Sequence, residues 1–357
     1  MVHGSVFLQF VREFGLRGNY QLGSVNWLMA DAARPLAGGT FRARSMVSTE
    51  FFTLTRAGYP QLLQVAQPYR GGTLTDRMHP HELVSEAAVM YDRALSGAWR
   101  ASIYLAAVGE PALGPVAYLH RPSAANDPTA PLGHHAQDLT HESFGVATMG
   151  VFTPRVQLEA SVFNGAHPNE VRTNLDYAGA RFNSFAARLT VNPSARWSVS
   201  GSAAYLAAAG GAHAHEGLHR FGVALMSVVP RGPGAWSTSL IWGANMPADT
   251  RRVLHSALLE TNIELDAGNS VFGRAEYVTR TAEELALVGS VSAEVDVGSL
   301  ALGYARRVAA VRGVEAWLVG RGHADFVPEQ LRLFYGSRTP AGVIVSLQLR
   351  APVTAAH

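Results

Sequence analysis

Apolar and polar side chains alternate along most of this chain with a period of two residues. In the segment VQLEASVF, Val156, Leu158 and Val162 share one face, whereas Gln157 and Glu159 share the other. This period predicts β-strands, because successive side chains of a strand point to opposite faces of the sheet. Several runs last about ten residues or more, the length of a tilted strand that crosses a bilayer. Comparable alternation occurs over residues 183–192, 253–266, 271–280 and 343–350.

The connections between these segments alternate between short and long. The short links lie near residues 34–38, 96–98, 153–154, 193–195, 230–234, 267–269 and 309–313. The longer links lie at residues 15–19, 53–80, 109–141, 166–180, 209–218, 247–251, 281–290 and 326–340. Short turns at one end and long loops at the other are typical of an outer-membrane β-barrel, with periplasmic turns and extracellular loops.

The segments together predict an all-β protein, a transmembrane antiparallel barrel of about 16 strands. Barrels of about 14 or 18 strands are the alternatives, because residues 284–308 can be divided in more than one way. We interpret its segment ELALVGSVSAEVD as mostly loop or strand extension, with one strand near 296–308. No repeat or linker divides the chain, so residues 1–357 are expected to form a single domain. A ring of aromatic side chains at the membrane interface is predicted from Trp99, Trp197, Trp236 and Trp317, which each follow a short turn.

One face of the predicted strands carries charged side chains at a density that a dry core does not accept. In lipid the sheet must close, because every backbone N–H and C=O needs an internal partner. A barrel of about 16 strands is wide enough to hold an aqueous lumen. The alternative is a soluble β-protein whose polar face meets solvent. In the membrane barrel, we expect the lumen to be lined by Arg42, Arg44, Glu50, Arg188, Glu260, Arg274 and Glu276.

Over its full length the chain resembles bacterial outer-membrane porin-like barrels. The loop 109–141, GEPALGPVAYLHRPSAANDPTAPLGHHAQDLTH, is the third long loop and follows the fifth predicted strand. The resemblance implies that this Pro-rich loop folds into the lumen and narrows it. It also implies an outer-membrane location, contact with the lipid bilayer and a homotrimer. The stretches HPHE and LGHHAQDLTH further resemble those of an uncharacterised group of bacterial outer-membrane barrels. The residues expected at the constriction are Glu110, His120, Arg121, Asp127 and Asp138.

Composition and charge exclude several classes of protein. The 357 residues are 48 % hydrophobic and 16 % charged, which excludes a disordered chain. The absence of Cys excludes a disulfide scaffold, thiolate metal sites and thiol catalysis. A formal net charge of +2 gives no sign of a nucleic-acid partner. No apolar run is long enough for a transmembrane helix. The N-terminal residues lack the pattern of a signal peptide, which leaves either a cytoplasmic protein or a mature or trimmed form of an exported one. The barrel pattern favours the second.

Histidines concentrate in the predicted long loops. An HxH sequence on an extended segment places both rings on one face, as for His79 and His81. Clustered imidazoles with nearby carboxylates suit a divalent ion such as zinc, copper or nickel. The alternative is that these side chains are solvated or hydrogen-bonded loop residues. The candidate ligands are His79, His81, Glu82, His134, His135, His141, His213 and His215.

Two functions follow from these patterns. The first is an outer-membrane channel for small hydrophilic solutes or ions, with selectivity set by the width and charge of the lumen. The second is an outer-membrane protein that binds a divalent metal at a His-rich extracellular rim. We do not expect an enzyme. Pairs such as Ser143 with His141 are available, but no nucleophile elbow, HExxH or phosphate-binding loop accompanies them.

Overall fold

The computed structural model describes residues 1–138, 142–166, 170–175, 182–207, 217–248, 252–287 and 293–351. Within these ranges, sixteen antiparallel strands form one closed barrel, and the first strand pairs with the last. The predicted fold class and the preferred strand count are thereby confirmed. The strands are β1 (Val2–Glu13), β2 (Tyr20–Leu36), β3 (Gly39–Val47), β4 (Val84–Ala94), β5 (Arg100–Gly109), β6 (Ser143–Phe152), β7 (Val156–Phe163), β8 (Ser184–Ser194), β9 (Trp197–Leu206), β10 (Leu218–Arg231), β11 (Gly234–Pro247), β12 (Leu254–Asp266), β13 (Asn269–Thr281), β14 (Glu294–Val311), β15 (Val314–Phe326) and β16 (Ala341–Arg350).

Short helices and hairpins lie in the long loops. The α-helices are α1 (Glu50–Thr53), α2 (His134–Gln137) and α3 (Arg332–Tyr335). The 3₁₀ helices are Tyr118–His120, Pro122–Ala124 and Glu329–Leu331. In the second long loop, Tyr59–Pro60 pairs with Arg77–Met78 and Gln67–Tyr69 pairs with Gly72–Leu74. No helix in the described part of the chain is long and apolar enough to cross a membrane.

The strands are joined by short turns at one end of the barrel, here called the turn end, and by longer loops at the other, the loop end. Ala37 and Gly38 have φ angles of 46° and 77°, and Arg312 and Gly313 have φ angles of 50° and 78°. Two successive left-handed residues match the twist of a two-residue hairpin, and glycine adopts this conformation without strain. The turns occupy residues 37–38, 95–99, 153–155, 195–196, 232–233, 267–268 and 312–313.

Side-chain exposure follows the predicted alternation. Leu158, Leu189 and Leu259 point outward and are 51 %, 47 % and 49 % exposed. On the inner face of β12, Ser256 and Glu260 are almost fully buried. The barrel therefore has an apolar outer surface and a polar inner face, as a membrane-spanning barrel requires.

Three of the four tryptophans predicted at the interface face outward near the turn end. Trp99, Trp197 and Trp236 are 44 %, 44 % and 48 % exposed. Trp317 does not join them, so that part of the prediction is wrong. It occupies an inward position of β15, is 4 % exposed, and its Nε1 donates to Glu315 Oε2 at 2.9 Å. The residue follows a short turn as predicted, but the alternation of β15 turns its side chain to the inner face.

An apolar core fills part of the barrel interior toward the loop end. Leu63 of the second loop and Leu132 of the third pack there with Val278 and Val297 of the wall. Leu331 of the last loop completes the cluster. These side chains are each at most 3 % exposed. Loops from different parts of the sequence therefore meet inside the barrel and leave only part of its cross-section open.

Candidate functional site

The described part of the third long loop, residues 110–138, runs inside the barrel. The backbone N–H of Ala112 donates to Ser161 Oγ on β7 at 2.7 Å. From β16, Gln348 Nε2 donates to the carbonyl oxygen of Ala125 at 2.8 Å. Both wall residues occupy inward positions on their strands. Contacts with strands so far apart around the sheet place this loop within the lumen.

A buried chain of ion pairs fixes the loop to the wall. Arg121 donates to Glu260 Oε1 at 3.1 Å and to Asp138 Oδ2 at 3.0 Å. Arg274 donates to Glu260 Oε2 at 2.6 Å and lies 3.6 Å from Asp127. The side chains of both arginines are 0 % exposed. Buried charges are tolerated only when they are paired and hydrogen-bonded, and here guanidinium and carboxylate groups alternate.

Further polar contacts extend this attachment. Arg321 of β15 donates to Asp127 Oδ2 at 3.1 Å. Burial alone would raise the pKa of Asp127, but Arg274, Arg321 and hydrogen bonds from Thr129 lower it to about 2. This carboxylate therefore stays charged at neutral pH. We call the inner face of β10–β16, which the loop covers, the packed side.

On the opposite side, the inner face of β2–β8 borders a cavity of about 360 Å³, which we call the open side. The loop forms its other wall through residues such as Glu110 and His120. Arg188 donates to Glu159 Oε2 at 3.1 Å and lies 3.9 Å from Glu110. The charged lining includes Arg42, Arg44, Glu86, Glu110, Glu159 and Arg188.

Arg42 and Arg44 differ in their pairing. Arg44 Nε lies 3.2 Å from Asp31 Oδ2, and Arg44 Nη1 lies 3.9 Å from Glu86 Oε1. The side chain of Arg42 is exposed to the cavity and makes no hydrogen bond or ion pair with any described residue. The open side therefore presents one unneutralised guanidinium to a solute.

Glu110 adds a charge that changes near neutral pH. Burial raises the pKa of Glu110 to about 7, although Arg188 opposes the shift. The backbone N–H of Glu110 donates to Tyr104 Oη at 3.3 Å, which fixes the start of the loop against β5. The net charge of the cavity is therefore more positive below about pH 7 than above it.

The residues predicted at the constriction occupy two environments. Glu110 and His120 line the cavity. Arg121, Asp127 and Asp138 are at most 5 % exposed and lie between the loop and the packed side. The expectation that these three face the narrowest section does not match their burial, because each is paired with the wall or with a neighbour in the loop.

The predicted lumen-lining residues are also divided. Arg42, Arg44 and Arg188 line the open side. Glu260, Arg274 and Glu276 point inward but are covered by the loop. Glu50 lies beyond β3, in α1, where its carboxylate accepts hydrogen bonds from Asn26 and His81. It borders a separate small cavity between the second and third loops.

Two lining residues were missed at the sequence level. Glu86 and Tyr104 belong to the open side, and Tyr104 Oη donates to Glu86 Oε1 at 3.0 Å. Glu86 shares the inner face of β4 with Met90 and Asp92. Counting back from Asp92 in steps of two residues reaches Glu86, so the alternation along β4 already indicates that Glu86 points inward.

His81, a predicted metal ligand, is engaged in an ion pair. Its Nδ1 lies 2.9 Å from Glu50 Oε2. Burial alone would lower the pKa of His81, but Glu50 and Glu142 raise it to about 9. A metal-ligating imidazole is neutral, whereas the ion pair with Glu50 favours the protonated form of His81.

Other predicted ligands have structural contacts. Arg172 Nη1 donates to Glu82 Oε1 at 2.5 Å, and His134 Nδ1 lies 2.5 Å from Asp138 Oδ1. His135 is buried against the packed side, and His79 borders the small cavity between the loops. Among the described residues, no three His, Asp or Glu side chains form a group that could hold a metal. His141, His213 and His215 lie outside the described residues, so metal binding at this rim stays a prediction.

Comparison with solved structures identifies the architecture. The chain is similar to OmpF of Salmonella typhi, in complex with daunomycin, with a TM-score of 0.61 and 8 % identity, over 98 % of this chain and 97 % of that one. The fold is that of the outer-membrane porins. The chain is also similar to an anion-selective porin from Comamonas acidovorans, with a TM-score of 0.56 and 10 % identity, over 98 % of both chains. A third similar structure is the outer membrane channel DcaP of Acinetobacter baumannii, with a TM-score of 0.51 and 10 % identity, over 98 % of this chain and 96 % of that one. No protein-family model and no curated protein matches the sequence.

Proposed function

We propose that this protein is an outer-membrane channel of the porin type, which passes small hydrophilic solutes or ions. The observation that carries the proposal is the charged cavity on the open side of a closed barrel. The apolar outer surface supports residence in the bacterial outer membrane, because lipid accepts only such a face. The porin fold of the similar structures adds support.

The third loop confines the proposed pathway to one side of the barrel. Its attachment through Arg121 and Asp127 fills the packed side with paired charges. Solutes are left the space between this loop and β2–β8, where Arg42, Glu110 and Arg188 face one another. Selectivity in such a pore follows from its width and from the sign of the lining charges.

Conductance across a planar bilayer tests the channel. We expect discrete current steps that scale with salt concentration. Arg42→Gln removes the unneutralised charge of the open side, so the anion-to-cation permeability ratio falls by about twofold. Arg12→Gln, on the outer surface, is the matched control and leaves the ratio unchanged. A barrel that inserts into the bilayer and passes no current contradicts the proposal.

We also propose that the protein assembles as a homotrimer. OmpT of Vibrio cholerae, described in a trimer form, is similar to this chain, with a TM-score of 0.51, 7 % identity and 98 % of both chains covered. Light scattering of the detergent-solubilised protein, corrected for bound detergent, measures the mass directly. A mass close to 38.1 kDa, that of one chain, contradicts the trimer.

A further inference from the structure

An exposed arginine lies in or beside every short turn at the turn end. Their guanidinium groups form no ion pair in the part of the chain that the structure describes. The turns follow one another around the barrel, so the arginines encircle its rim. We call this set the basic collar. It consists of Arg34, Arg93, Arg155, Arg196, Arg231, Arg306 and Arg312.

Acidic groups at the same level leave most of the basic collar without a counterion. Asp92 is paired with Arg100, and Glu315 is paired with Arg307. Asp266, which is exposed, accepts hydrogen bonds from the backbone of Gly268 and the side chain of Asn269, and it also interacts electrostatically with Arg306. The excess positive charge at the turn end is therefore available to an external partner.

The loop end carries a different pattern of charge. Arg252 lies 3.5 Å from Glu294, and Arg332 lies 3.2 Å from Glu329. Arg338 lies 3.7 Å from Glu329 as well. These three exposed arginines have carboxylate neighbours, and Arg56 donates to the carbonyl oxygen of Arg70. In the basic collar, only Arg306 interacts with a described carboxylate, that of Asp266. The charge asymmetry therefore distinguishes the two ends of the barrel.

Exposed tryptophans accompany the basic collar. Trp197 follows the turn that contains Arg196, and Trp236 lies just beyond the turn that Arg231 precedes. The indole ring prefers the boundary between hydrocarbon and headgroups. An arginine next to it can lay its methylene stem on apolar surface while its guanidinium reaches the headgroup layer. Between the third and fourth turns, a groove of about 560 Å³ is bordered by Arg155, Arg196 and Trp197.

We propose that the basic collar binds anionic phospholipid headgroups in the leaflet that faces the turns. This inference rests on the proposed membrane location. A phosphodiester offers two oxygens to the planar fork of a guanidinium, which makes arginine well suited to it. Each basic side chain close to an anionic surface strengthens binding by about fivefold.

The test compares two variants of the full chain that lose the same charge. The collar variant carries Arg155→Gln, Arg196→Gln, Arg231→Gln and Arg306→Gln. The control variant carries Arg56→Gln, Arg252→Gln, Arg332→Gln and Arg338→Gln at the loop end. Native mass spectrometry of the detergent-solubilised proteins then measures binding of phosphatidylglycerol and of phosphatidylcholine.

We expect the phosphatidylglycerol concentration for half-saturation to rise at least about tenfold in the collar variant and to stay unchanged in the control. Phosphatidylcholine should bind all three proteins equally. Equal phosphatidylglycerol affinity in wild type and collar variant overturns the proposal, as does an equal loss in both variants. Binding of a soluble polyanion such as heparin without preference for phosphatidylglycerol also overturns it, and identifies a different partner.

Conductance of the same preparations separates this inference from the proposed function. If the wild-type protein conducts but binds phosphatidylglycerol no better than phosphatidylcholine, only the collar proposal is contradicted. If the protein binds phosphatidylglycerol preferentially through the collar but passes no current, the collar proposal stands and the channel proposal is contradicted.

Discussion

The packed side and the open side of the barrel share one sequence pattern and have different interiors. Glu260 on β12 and Glu159 on β7 both point inward and both pair with arginine. Glu260 is 1 % exposed beneath the third loop, whereas the side chain of Glu159 is 14 % exposed at the cavity. The difference arises from the path of the loop, which covers one side and borders the other.

This difference shows that a charged side chain on the inner face of the barrel can have either of two roles. On the packed side, charges fix the loop and must balance one another, since water does not reach them. On the open side, charges meet water and can act on a passing solute. Arg121 and Arg42 are therefore not equivalent, although both belong to the lumen by sequence position. Changes on the packed side should affect stability most, and changes on the open side should affect permeation.

The largest expected effect is the loss of the shared carboxylate of the packed side. Glu260→Gln leaves Arg121 and Arg274 without their common partner, so the free energy of unfolding falls by about 3 kcal/mol. Glu159→Gln on the open side is the matched change and costs about 1 kcal/mol or less, because water solvates Arg188. Urea unfolding in detergent, followed by tryptophan fluorescence, measures both. An equal decrease in the free energy of unfolding for Glu260→Gln and Glu159→Gln would contradict the distinction between the packed side and the open side.

A second effect concerns pH and the second loop. The pKa of His81 is raised to about 9 in the folded protein by Glu50 and Glu142, against its desolvation. The resulting stabilisation is fully present below about pH 6.5 and is lost as the pH rises through 9, a change of about 3 kcal/mol. His81→Gln lacks this pH-dependent stabilisation. The free energies of unfolding of wild type and His81→Gln should therefore converge as the pH rises from about 6.5 to 9. A constant difference from pH 6 to 10 would contradict the buried ion pair.

The smallest expected effect is a change in selectivity on the open side. Burial raises the pKa of Glu110 to about 7, so the cavity gains a negative charge between pH 6 and 8. The anion-to-cation permeability ratio should fall by about twofold over this range. Glu110→Gln should abolish the change, whereas Glu329→Gln, exposed at the loop end, should retain it. Reversal potentials in a salt gradient provide the measurement, and an unchanged pH response in Glu110→Gln would show that another group is responsible.

The sequence was sufficient to predict the wall of the barrel. Lipid outside and polar groups inside impose a two-residue period, which located β14 near 296–308, where the structure has Glu294–Val311. Trp317 shows the limit of a rule based on distance from a turn, because only the alternation along β15 determines which way it points. Local patterns of this kind are set by neighbours along one strand.

The interior of the barrel depends on contacts that no local pattern contains. Arg121 and Glu260 meet across a sequence separation of 139 residues, and Gln348 and Ala125 across 223. The third loop was predicted to enter the lumen, but the side against which it packs follows from many such pairs. The roles of Asp127 and Asp138 therefore became apparent only with the path of the loop in space.

Thiol labelling during conductance recording tests the central claim most directly, because the chain has no native Cys. Ser102 borders the cavity of the open side, and Ser239 is 2 % exposed on the packed side, so Ser102→Cys and Ser239→Cys form a matched pair. A charged methanethiosulfonate reagent should lower the current through Ser102→Cys by about half or more and leave Ser239→Cys unaffected. Block of Ser239→Cys, or no block of Ser102→Cys, would contradict a pathway confined to the open side.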